Sequence, residues 1–168
     1  MATEIERKFI VTGDFLPLVE SSEEIIQGYL YRNNKSVVRI RICHGKAWLG
    51  VKSKNDSDSL ARIEYEYEIP TTDAESMLNL CTGHIIEKTR YYVHYFQCLW
   101  EVDVFHGENE GLIIAEIELN HENEHFLRPP WVGEEVTHTP KYLNAYLSII
   151  PFKDWHKGDR PNSLEIKE

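Results

Sequence analysis

The chain has 168 residues and a formal net charge of −10, from 18 Lys and Arg against 28 Asp and Glu. This length suits one domain with a sizeable core, and the acidic balance argues against nucleic acid as a partner. The sequence has no apolar run long enough to span a membrane, no secretory start and an odd number of cysteines, 3, which together predict a cytoplasmic protein with free thiols and no membrane partner.

Alternating apolar and polar residues predict β-structure along most of the chain. Eight segments carry this period-two pattern, over residues 3–11, 27–32, 36–43, 46–54, 60–69, 85–95, 97–105 and 112–119. Turn-forming stretches rich in Gly and Asn separate several of them, such as "RNNKS", "CHGKA" and "FHGENEG". The short connections are typical of an antiparallel sheet.

Helical features occur between and after these strands. Residues 71–83, "TTDAESMLNLCTG", combine candidate N-caps, an apolar stripe and a terminal glycine. We also predict a short helix within 13–22, a helical turn within 121–131 stopped by two prolines, and a helix over 140–150 that starts with proline. The polar segment 151–168 is predicted to be a loosely held tail after a domain over 1–150.

Ionisable side chains occupy one face of most predicted strands. In the opening "MATEIERKFIV", Glu4, Glu6 and Lys8 alternate with Ile5 and Phe9. The same alternation groups Arg39 with Arg41, Lys52 with Lys54, Arg62 with Glu64, Glu66 and Glu68, Lys88 with Arg90, Glu101 with Asp103, and Glu116 with Glu118. Such a face is ordinarily the solvated side of a half-buried antiparallel sheet.

Two properties indicate that these charged faces line an interior instead. The strands segregate by the sign of their charges, and the chain is too short for a second sheet to cover the apolar faces. If the few helices cover the apolar faces from outside, the charged faces point into a closed barrel, which also removes exposed sheet edges. Enclosed charges need water, partners or a ligand. Cations that hold a polyanion, with carboxylates that bind it through Mg²⁺ or Mn²⁺, match phosphoryl-transfer chemistry.

The order of these motifs resembles the CYTH superfamily of triphosphate tunnel metalloenzymes. "EIERKF" carries the Glu-x-Glu-x-Lys signature, and "QGYL", "RIRI", "VKSK", "EYE", "EKTRYY", "EVDVF", "AEIEL" and "PPWVGEEVT" follow in the expected order over residues 3–149. The resemblance is to short bacterial inorganic triphosphatases. It implies a mainly β member of the α+β class, with an eight-stranded antiparallel β-barrel open at both ends and a few peripheral helices.

The resemblance also implies roles for individual residues. Metal ligands for Mg²⁺ or Mn²⁺, with two ions expected, would be Glu4, Glu6, Glu116 and Glu118. The catalytic residues would be Lys8, Glu66 and Asp103, the two acids acting through metal-bound water. The triphosphate would be bound by Lys8, Arg39, Arg41, Lys52, Lys54, Lys88, Arg90 and Lys141. Relatives often carry a second basic residue near Lys141, where this chain has Leu143. Arg62 and Glu64 would form a structural ion pair.

The implied activity is metal-dependent hydrolysis of a small-molecule triphosphate, foremost tripolyphosphate to pyrophosphate and phosphate. Class IV adenylate cyclase and thiamine triphosphatase are alternatives within the superfamily, and a non-catalytic polyphosphate- or nucleotide-binding module is the alternative outside catalysis. A monomer and a homodimer are both compatible with the sequence.

Several other signals are interpreted as structural. "HENEH" matches the HExxH pattern of zinc proteases, but it lacks helical flanks and a third ligand. The remaining histidines, including His44, are interpreted as surface or locally bonded residues. Tyr29 and the other strand tyrosines are interpreted as packing residues, because aromatic residues favour strands.

Overall fold

A computed structural model describes residues 1–53 and 59–161 and shows a mainly β protein. In these residues the strands are β1 (Ala2–Val11), β2 (Ser21–Arg32), β3 (Ser36–Cys43), β4 (Lys46–Ser53), β5 (Ala61–Ile69), β6 (Thr82–Tyr95), β7 (Cys98–Phe105), β8 (Ile113–Glu118) and β9 (Val132–Glu135). The helices are α1 (Thr71–Leu78) and α2 (Asn144–Leu147), with 3₁₀ turns at Leu16–Leu18, Gly107–Asn109, Pro140–Tyr142, Phe152–Asp154 and Lys157–Asp159. Within the described ranges, no helix is long and apolar enough to cross a membrane.

Eight of the strands close into an antiparallel barrel, which confirms the predicted fold. Around the ring the order is β1, β5, β4, β3, β2, β6, β7 and β8, and β8 pairs again with β1. The strand β1 closes the ring because its first half pairs with β5, as in Ile5↔Ala61, and its second half with β8, as in Lys8↔Glu116. The extra strand β9 continues beside β1 where β5 has ended.

The apolar faces of most strands point outward and pack under loops and helices, as predicted, whereas Tyr65 and Tyr67 on β5 remain exposed. On β1, β7 and β8, the side chains of Phe9, Trp100 and Ile117 are fully or almost fully buried and pack under the aromatic rings of Phe15 and Trp131. Across the barrel, helix α1 covers β3 and β4. Because successive side chains on a strand alternate between faces, this packing turns the ionisable side chains toward the barrel interior.

A second apolar cluster covers one end of the interior. It contains inward-facing residues of four adjacent strands, Ile10, Ile86, Phe105 and Ile114, packed against Tyr142, Leu147, Phe152 and Trp155 from the last third of the chain. We call these eight residues the apolar cap. The expected tunnel open at both ends is therefore wrong for this end, because the charged lining gives way to a packed apolar layer.

The element boundaries differ from the prediction in several places. Strands β2 and β6 begin earlier, because they pair with each other along Ser21↔Tyr92 to Tyr29↔Thr82. Strand β9 was not predicted. The predicted helix over 140–150 is divided into a 3₁₀ turn and α2, and the predicted helical turn in 121–131 is a single turn closed by a Glu124 N–H to His121 C=O hydrogen bond of 3.1 Å.

The segment after Pro151 is not loosely held over its described residues. Its Phe152 N–H donates to the buried Asn109 side chain at 2.9 Å, and the Phe152 and Trp155 rings belong to the apolar cap. The Arg160 guanidinium lies 4.8 Å from the Phe152 ring centroid. The loose-tail prediction is wrong for 151–161 because two aromatic rings bury themselves against the barrel, and its residues 162–168 lie outside the described part of the chain.

Candidate active site

The barrel encloses a cavity of about 440 Å³ whose walls are mainly charged. Its carboxylates are Glu4, Glu6, Glu64, Glu66, Glu101, Glu116 and Glu118, and its cations are Lys8, Arg39, Arg41, Lys52, Arg62, Lys88 and Arg90. The segment that follows β9 adds Thr137, His138, Leu143 and Asn144 to the lining. The structure thus brings together most of the predicted site residues; Lys54 lies outside the described residues.

Four of the carboxylates form an acidic wall on the adjacent strands β1 and β8: Glu4, Glu6, Glu116 and Glu118. The strand register sets Glu6 opposite Glu118 and Lys8 opposite Glu116. The Lys8 ammonium lies 2.5 Å from a Glu116 oxygen and 3.2 Å from a Glu6 oxygen. Lys52 reaches across from β4 to within 2.6 Å of a Glu4 oxygen.

Negative charge is incompletely balanced along this wall. Burial, and then the negative charge of Glu6, raise the pKa of Glu4 despite the neighbouring Lys52. Burial also raises the pKa of Glu118, and the charges of Glu4 and Glu6 raise it further. For Glu116, burial acts in the same direction, but Lys8 and Arg90 together hold the pKa well below its usual value. The protein therefore balances the negative charge of Glu116 well and that of Glu4 and Glu118 only in part.

The acidic wall fits a divalent cation by the chemistry of its donors. Mg²⁺ and Mn²⁺ prefer carboxylate oxygens, and a cation would relieve the repulsion that raises the pKa values of Glu4 and Glu118. Among the residues described, no three of the four carboxylates lie close enough to share one ion. Lys8 and Lys52 lie against them instead, so cation binding would exchange ammonium groups for a metal.

Opposite in character is a buried ion network of Lys88, Arg90 and Asp103 on β6 and β7. The Asp103 carboxylate is fully buried; it accepts hydrogen bonds from the Arg90 guanidinium at 2.7 and 2.9 Å and from the Lys88 ammonium at 2.6 Å. Burial alone would raise the pKa of Asp103, but Arg90 and then Lys88 lower it overall. Burial lowers the pKa of Lys88 to about 7, although Asp103 opposes that shift.

Asp103 therefore lies behind the cavity wall, not on it. Its two oxygens are occupied by the Lys88 and Arg90 side chains, which orients those cations into the cavity. Arg90 also reaches a Glu101 oxygen at 2.6 Å. The predicted catalytic role of Asp103 through metal-bound water does not match this placement, because the carboxylate has no exposed oxygen to offer a water.

Two further cations, Arg39 and Arg41, belong to β3 and contact acidic or neutral neighbours, and Arg62 of β5 also lines the cavity. Arg39 lies 3.6 Å from both Glu64 and Glu66, so Glu64 pairs with Arg39 and not, as expected, with Arg62. Glu66 keeps 40% of its side chain exposed.

Arg41 belongs to an amide chain that ends on the last α-helix. Its guanidinium donates to Gln27 at 2.9 Å, and burial and nearby Arg39 lower its pKa to about 10. The side-chain amide oxygen of Asn144 on α2 accepts hydrogen bonds from the Gln27 amide at 3.0 Å and from the Lys88 ammonium at 3.1 Å. These bonds position two cavity cations from one amide.

The structure does not bring Lys141 to the cavity. Its ammonium donates to the Asp159 carbonyl at 2.7 Å and lies 4.7 Å from the Trp155 ring centroid. Lys141 lies in the 3₁₀ turn Pro140–Tyr142 and not in the predicted helix, and its side chain contacts the segment that follows. Its assignment to substrate binding is therefore corrected: it fastens the chain beyond Pro151.

Several lining residues were not among the predicted site residues. Tyr29, interpreted as a packing residue, lies on the cavity wall with 4% exposure. Glu101 also lines the cavity, and burial raises its pKa to about 7 against the opposing charge of Arg90. The alternation that identified Asp103 places Glu101 on the same face, so this signal was available. No pattern in the sequence marks Thr137 or His138.

Comparisons with known proteins agree with this geometry. The family model described as "CYTH domain" matches residues 2–145. A protein of Acetivibrio thermocellus named "Inorganic triphosphatase" is 46% identical over 156 residues, 92% of this chain and 99% of that protein. One of Nitrosomonas europaea with the same name is 36% identical over 151 residues, 88% of this chain and 97% of that protein. A crystal structure of an inorganic triphosphatase covers 89% of this chain and 96% of its own at 34% identity, with a TM-score of 0.65.

Proposed function

Because the chain belongs to the CYTH domain family, we propose that it is a metal-dependent triphosphatase that converts tripolyphosphate to pyrophosphate and phosphate. The observation that best supports this proposal is that one cavity is lined both by the acidic wall and by arginine and lysine side chains. Cations alone would serve a phosphate-binding module. The acidic wall serves a divalent cation, which is why we favour hydrolysis over binding alone.

The charge of the lining explains why a metal is needed. Among the described residues, seven carboxylates and seven cations line the cavity, so the formal charge of this part of the lining is 7 − 7 = 0. A highly charged triphosphate entering this neutral space requires added positive charge. We propose that Mg²⁺ or Mn²⁺, as the two ions that the family resemblance implies, supplies it at Glu4, Glu6, Glu116 and Glu118.

The bound cation would neutralise phosphate charge and lower the pKa of a coordinated water. The chain's own contribution begins with release of Lys8 and Lys52 from the acidic wall toward the phosphates. Arg39 and Arg41 bind phosphate oxygens from β3, and Lys88 and Arg90 from β6. Asp103 acts as a positioning residue, because it fixes the direction of the two β6 cations.

Two carboxylates are suited to accept the proton of the attacking water. Glu66 is the predicted one, and its partial exposure leaves an oxygen accessible from the cavity. Glu101 has a pKa of about 7, which is close to the value at which a general base works well near neutrality. Replacing each by glutamine separates them, since only the functional base should change the acid limb of the rate profile.

The experiment is a phosphate-release assay with tripolyphosphate, ATP, thiamine triphosphate and pyrophosphate, with a parallel test for cyclic AMP. In the described lining, only Tyr29 and His138 offer a ring for a base or thiazole to stack on. We expect kcat/KM for tripolyphosphate to exceed that for ATP by at least about tenfold, equivalent to ~1.4 kcal/mol. A preference for ATP with cyclic AMP as product would favour an adenylate cyclase, and a preference for thiamine triphosphate would favour a thiamine triphosphatase.

A matched pair of variants ties this activity to the cavity. Glu6→Gln removes one charge from the acidic wall and should abolish phosphate release. Glu75→Gln removes one charge from the exposed surface of α1 and should leave release unchanged. Binding of tripolyphosphate without release of phosphate by the unaltered protein would indicate a binding module instead.

We further propose that the protein acts in the cytoplasm as a monomer or homodimer on a small-molecule substrate, with neither nucleic acid nor membrane as a partner. The acidic balance supports the exclusion of nucleic acid, and three free cysteines support a reducing compartment.

A further inference from the structure

A separate cluster of chemically reactive side chains lies where β3 turns into β4. It consists of Glu23 on β2, Cys43 at the end of β3 and His44 in the turn; we call it the hairpin cluster. One ligand atom from each, a carboxylate oxygen, a thiol sulfur and an imidazole nitrogen, lies within 4.8 Å of the other two. None of the three residues lines the catalytic cavity.

Contacts inside the hairpin cluster already point the donor atoms at one another. The His44 Nε2 atom lies 3.0 Å from a Glu23 oxygen, and the Cys43 thiol hydrogen bonds to the same carboxylate. The other Glu23 oxygen accepts a 2.5 Å hydrogen bond from the Tyr92 hydroxyl. Tyr92 thus holds the carboxylate in place from behind, as hydrogen-bond partners of metal-ligating side chains commonly do.

Backbone geometry fixes the position of the histidine. His44 and Gly45 have φ values of 50° and 70°, and Cys43 pairs with Lys46 across a two-residue hairpin. Consecutive positive φ values are typical of a type I′ turn, whose twist matches that of the flanking strands. The imidazole is 67% exposed while Cys43 is buried, so the cluster is closed on the protein side and open on the solvent side.

The donor set selects a different metal from the acidic wall. Sulfur and imidazole nitrogen suit a borderline-soft ion such as Zn²⁺, whereas Mg²⁺ and Mn²⁺ prefer oxygen. Three protein ligands with a fourth position left to solvent is a common zinc arrangement. The "HENEH" segment lacks this combination, because it offers no thiol.

We propose that Glu23, Cys43 and His44 form a zinc site at the turn of the β3–β4 hairpin, distinct from the catalytic metal site. Formation of the zinc–sulfur bond releases the thiol proton of Cys43 to solvent. The His44 side chain closes over the ion from outside, and Tyr92 continues to hold Glu23. This proposal does not rest on the proposed triphosphatase activity, although the strand register sets Glu23 opposite Arg90 of the cavity lining.

Cobalt(II) is the probe, because a cobalt–thiolate bond gives a near-ultraviolet charge-transfer band that oxygen ligands do not. We titrate the full chain, reduced and freed of metal, with Co²⁺ in a large excess of Mg²⁺, which occupies the oxygen sites. The expected result is a charge-transfer band that saturates at one Co²⁺ per chain and disappears when Zn²⁺ is added. The absence of this band would overturn the proposal.

Variants assign the band to the cluster. Cys43→Ser should abolish it, and Glu23→Gln and His44→Asn should weaken Co²⁺ and Zn²⁺ binding by at least about tenfold, since even outer-shell partners contribute about 10–100-fold. Asparagine tolerates the positive φ of His44, so this variant preserves the turn if Cys43→Ser fails to fold. A band that persists in His44→Asn with unchanged affinity would overturn the proposed ligand set.

The chain contains matched controls. His94 lies 2.7 Å from Glu20 at the protein surface, with no thiol in the pair, so His94→Gln removes a histidine–glutamate contact without touching the cluster. Cys98→Ser removes another of the free thiols. Both variants should retain the full band, and loss of the band in Cys98→Ser would place the cobalt–sulfur bond elsewhere.

Discussion

The acidic wall and the buried ion network occupy the same barrel but balance their charges differently. In the network, Asp103 is fully buried and each of its oxygens has a cationic partner within 2.9 Å. In the wall, Glu4 and Glu118 have raised pKa values because burial and neighbouring carboxylates both disfavour their charged forms. The network satisfies itself, whereas the wall is complete only with an added cation.

This difference assigns separate tasks to two sets of similar residues. A buried charge whose partners are all protein groups contributes to the fold and to the direction of its neighbours. A charge left unmet near a cavity is available to a ligand. Ionisable residues identified by the same strand alternation, such as Asp103 and Glu118, therefore differ in function according to whether protein side chains or an added cation neutralise their charge.

The largest expected effect is loss of activity on removal of divalent metal. With EDTA, phosphate release from tripolyphosphate should be abolished, because the acidic wall then repels the substrate. Activity should return with Mg²⁺ or Mn²⁺ in excess over the chelator but not with Zn²⁺ at the hairpin cluster alone. Circular dichroism should remain unchanged, since the ion network needs no metal. Full turnover in EDTA would remove the distinction between the two regions.

Alanine substitutions should separate the regions by stability. Asp103→Ala leaves Lys88 and Arg90 buried without their shared carboxylate and should destabilise the fold by about 3–5 kcal/mol. Glu118→Ala removes an exposed member of a repulsive set and should change the free energy of unfolding by less than about 0.5 kcal/mol. Urea denaturation in EDTA measures both. Equal losses from the two substitutions would contradict the comparison.

The rate of hydrolysis should rise with pH from the acid side. Metal binding competes with protons on the wall, and Glu101, with a pKa of about 7, becomes ionised near neutrality. We expect kcat/KM to increase between about pH 5 and pH 8. The Glu101→Gln variant should lose the part of this increase that occurs near pH 7. A rate that is highest at acid pH would count against carboxylates as the active form.

The smallest expected effect is a pH-dependent stability difference at Glu4. Its pKa in the folded protein lies above the ordinary 4.5, so the ionised form costs stability that the protonated form does not. In EDTA, Glu4→Gln should be more stable than the unaltered protein at pH 8 and indistinguishable from it near pH 4. The stability contributed by Asp103 depends on pH in the opposite sense. Because its pKa is lowered in the folded protein, its ionised form stabilises the fold at pH values above its ordinary pKa, and this stability is lost on acidification. A Glu4→Gln variant that is less stable than the unaltered protein at pH 8 would show that the ion pair of Glu4 with Lys52 outweighs its repulsion by the other carboxylates.

The strand alternation predicts much of this fold because it reports directly which way each side chain points. It identified the eight barrel strands and the inward turn of residues such as Glu6 and Arg41. It could not find β9, whose four residues, "VGEE", are too few for a period to be visible. It also missed the start of β2, because "SSEE" is polar throughout and is held in the sheet by its pairing with β6.

Depth within the barrel is the property that alternation does not carry. Glu101 and Asp103 have the same orientation, yet only Glu101 reaches the cavity, because the side chains of Lys88 and Arg90 cover Asp103. Lys141 shows a related limit. A helix and a 3₁₀ turn aim a residue differently, and the sequence "PKYLNAY" did not distinguish them.

The position of β1 in the ring has a consequence for how the protein is made. On one side β1 pairs with β8, and the Lys8 backbone also bonds to Thr137, 129 residues later in the chain. At roughly 5–20 residues per second, a ribosome needs about 6–26 seconds to supply those 129 residues. Throughout that interval the apolar face of β1, with Phe9 and Val11, has no barrel to join. The first strand to be synthesised is therefore among the last to complete its strand pairing. A nascent chain stalled before β8 would expose an unpaired, aggregation-prone strand edge.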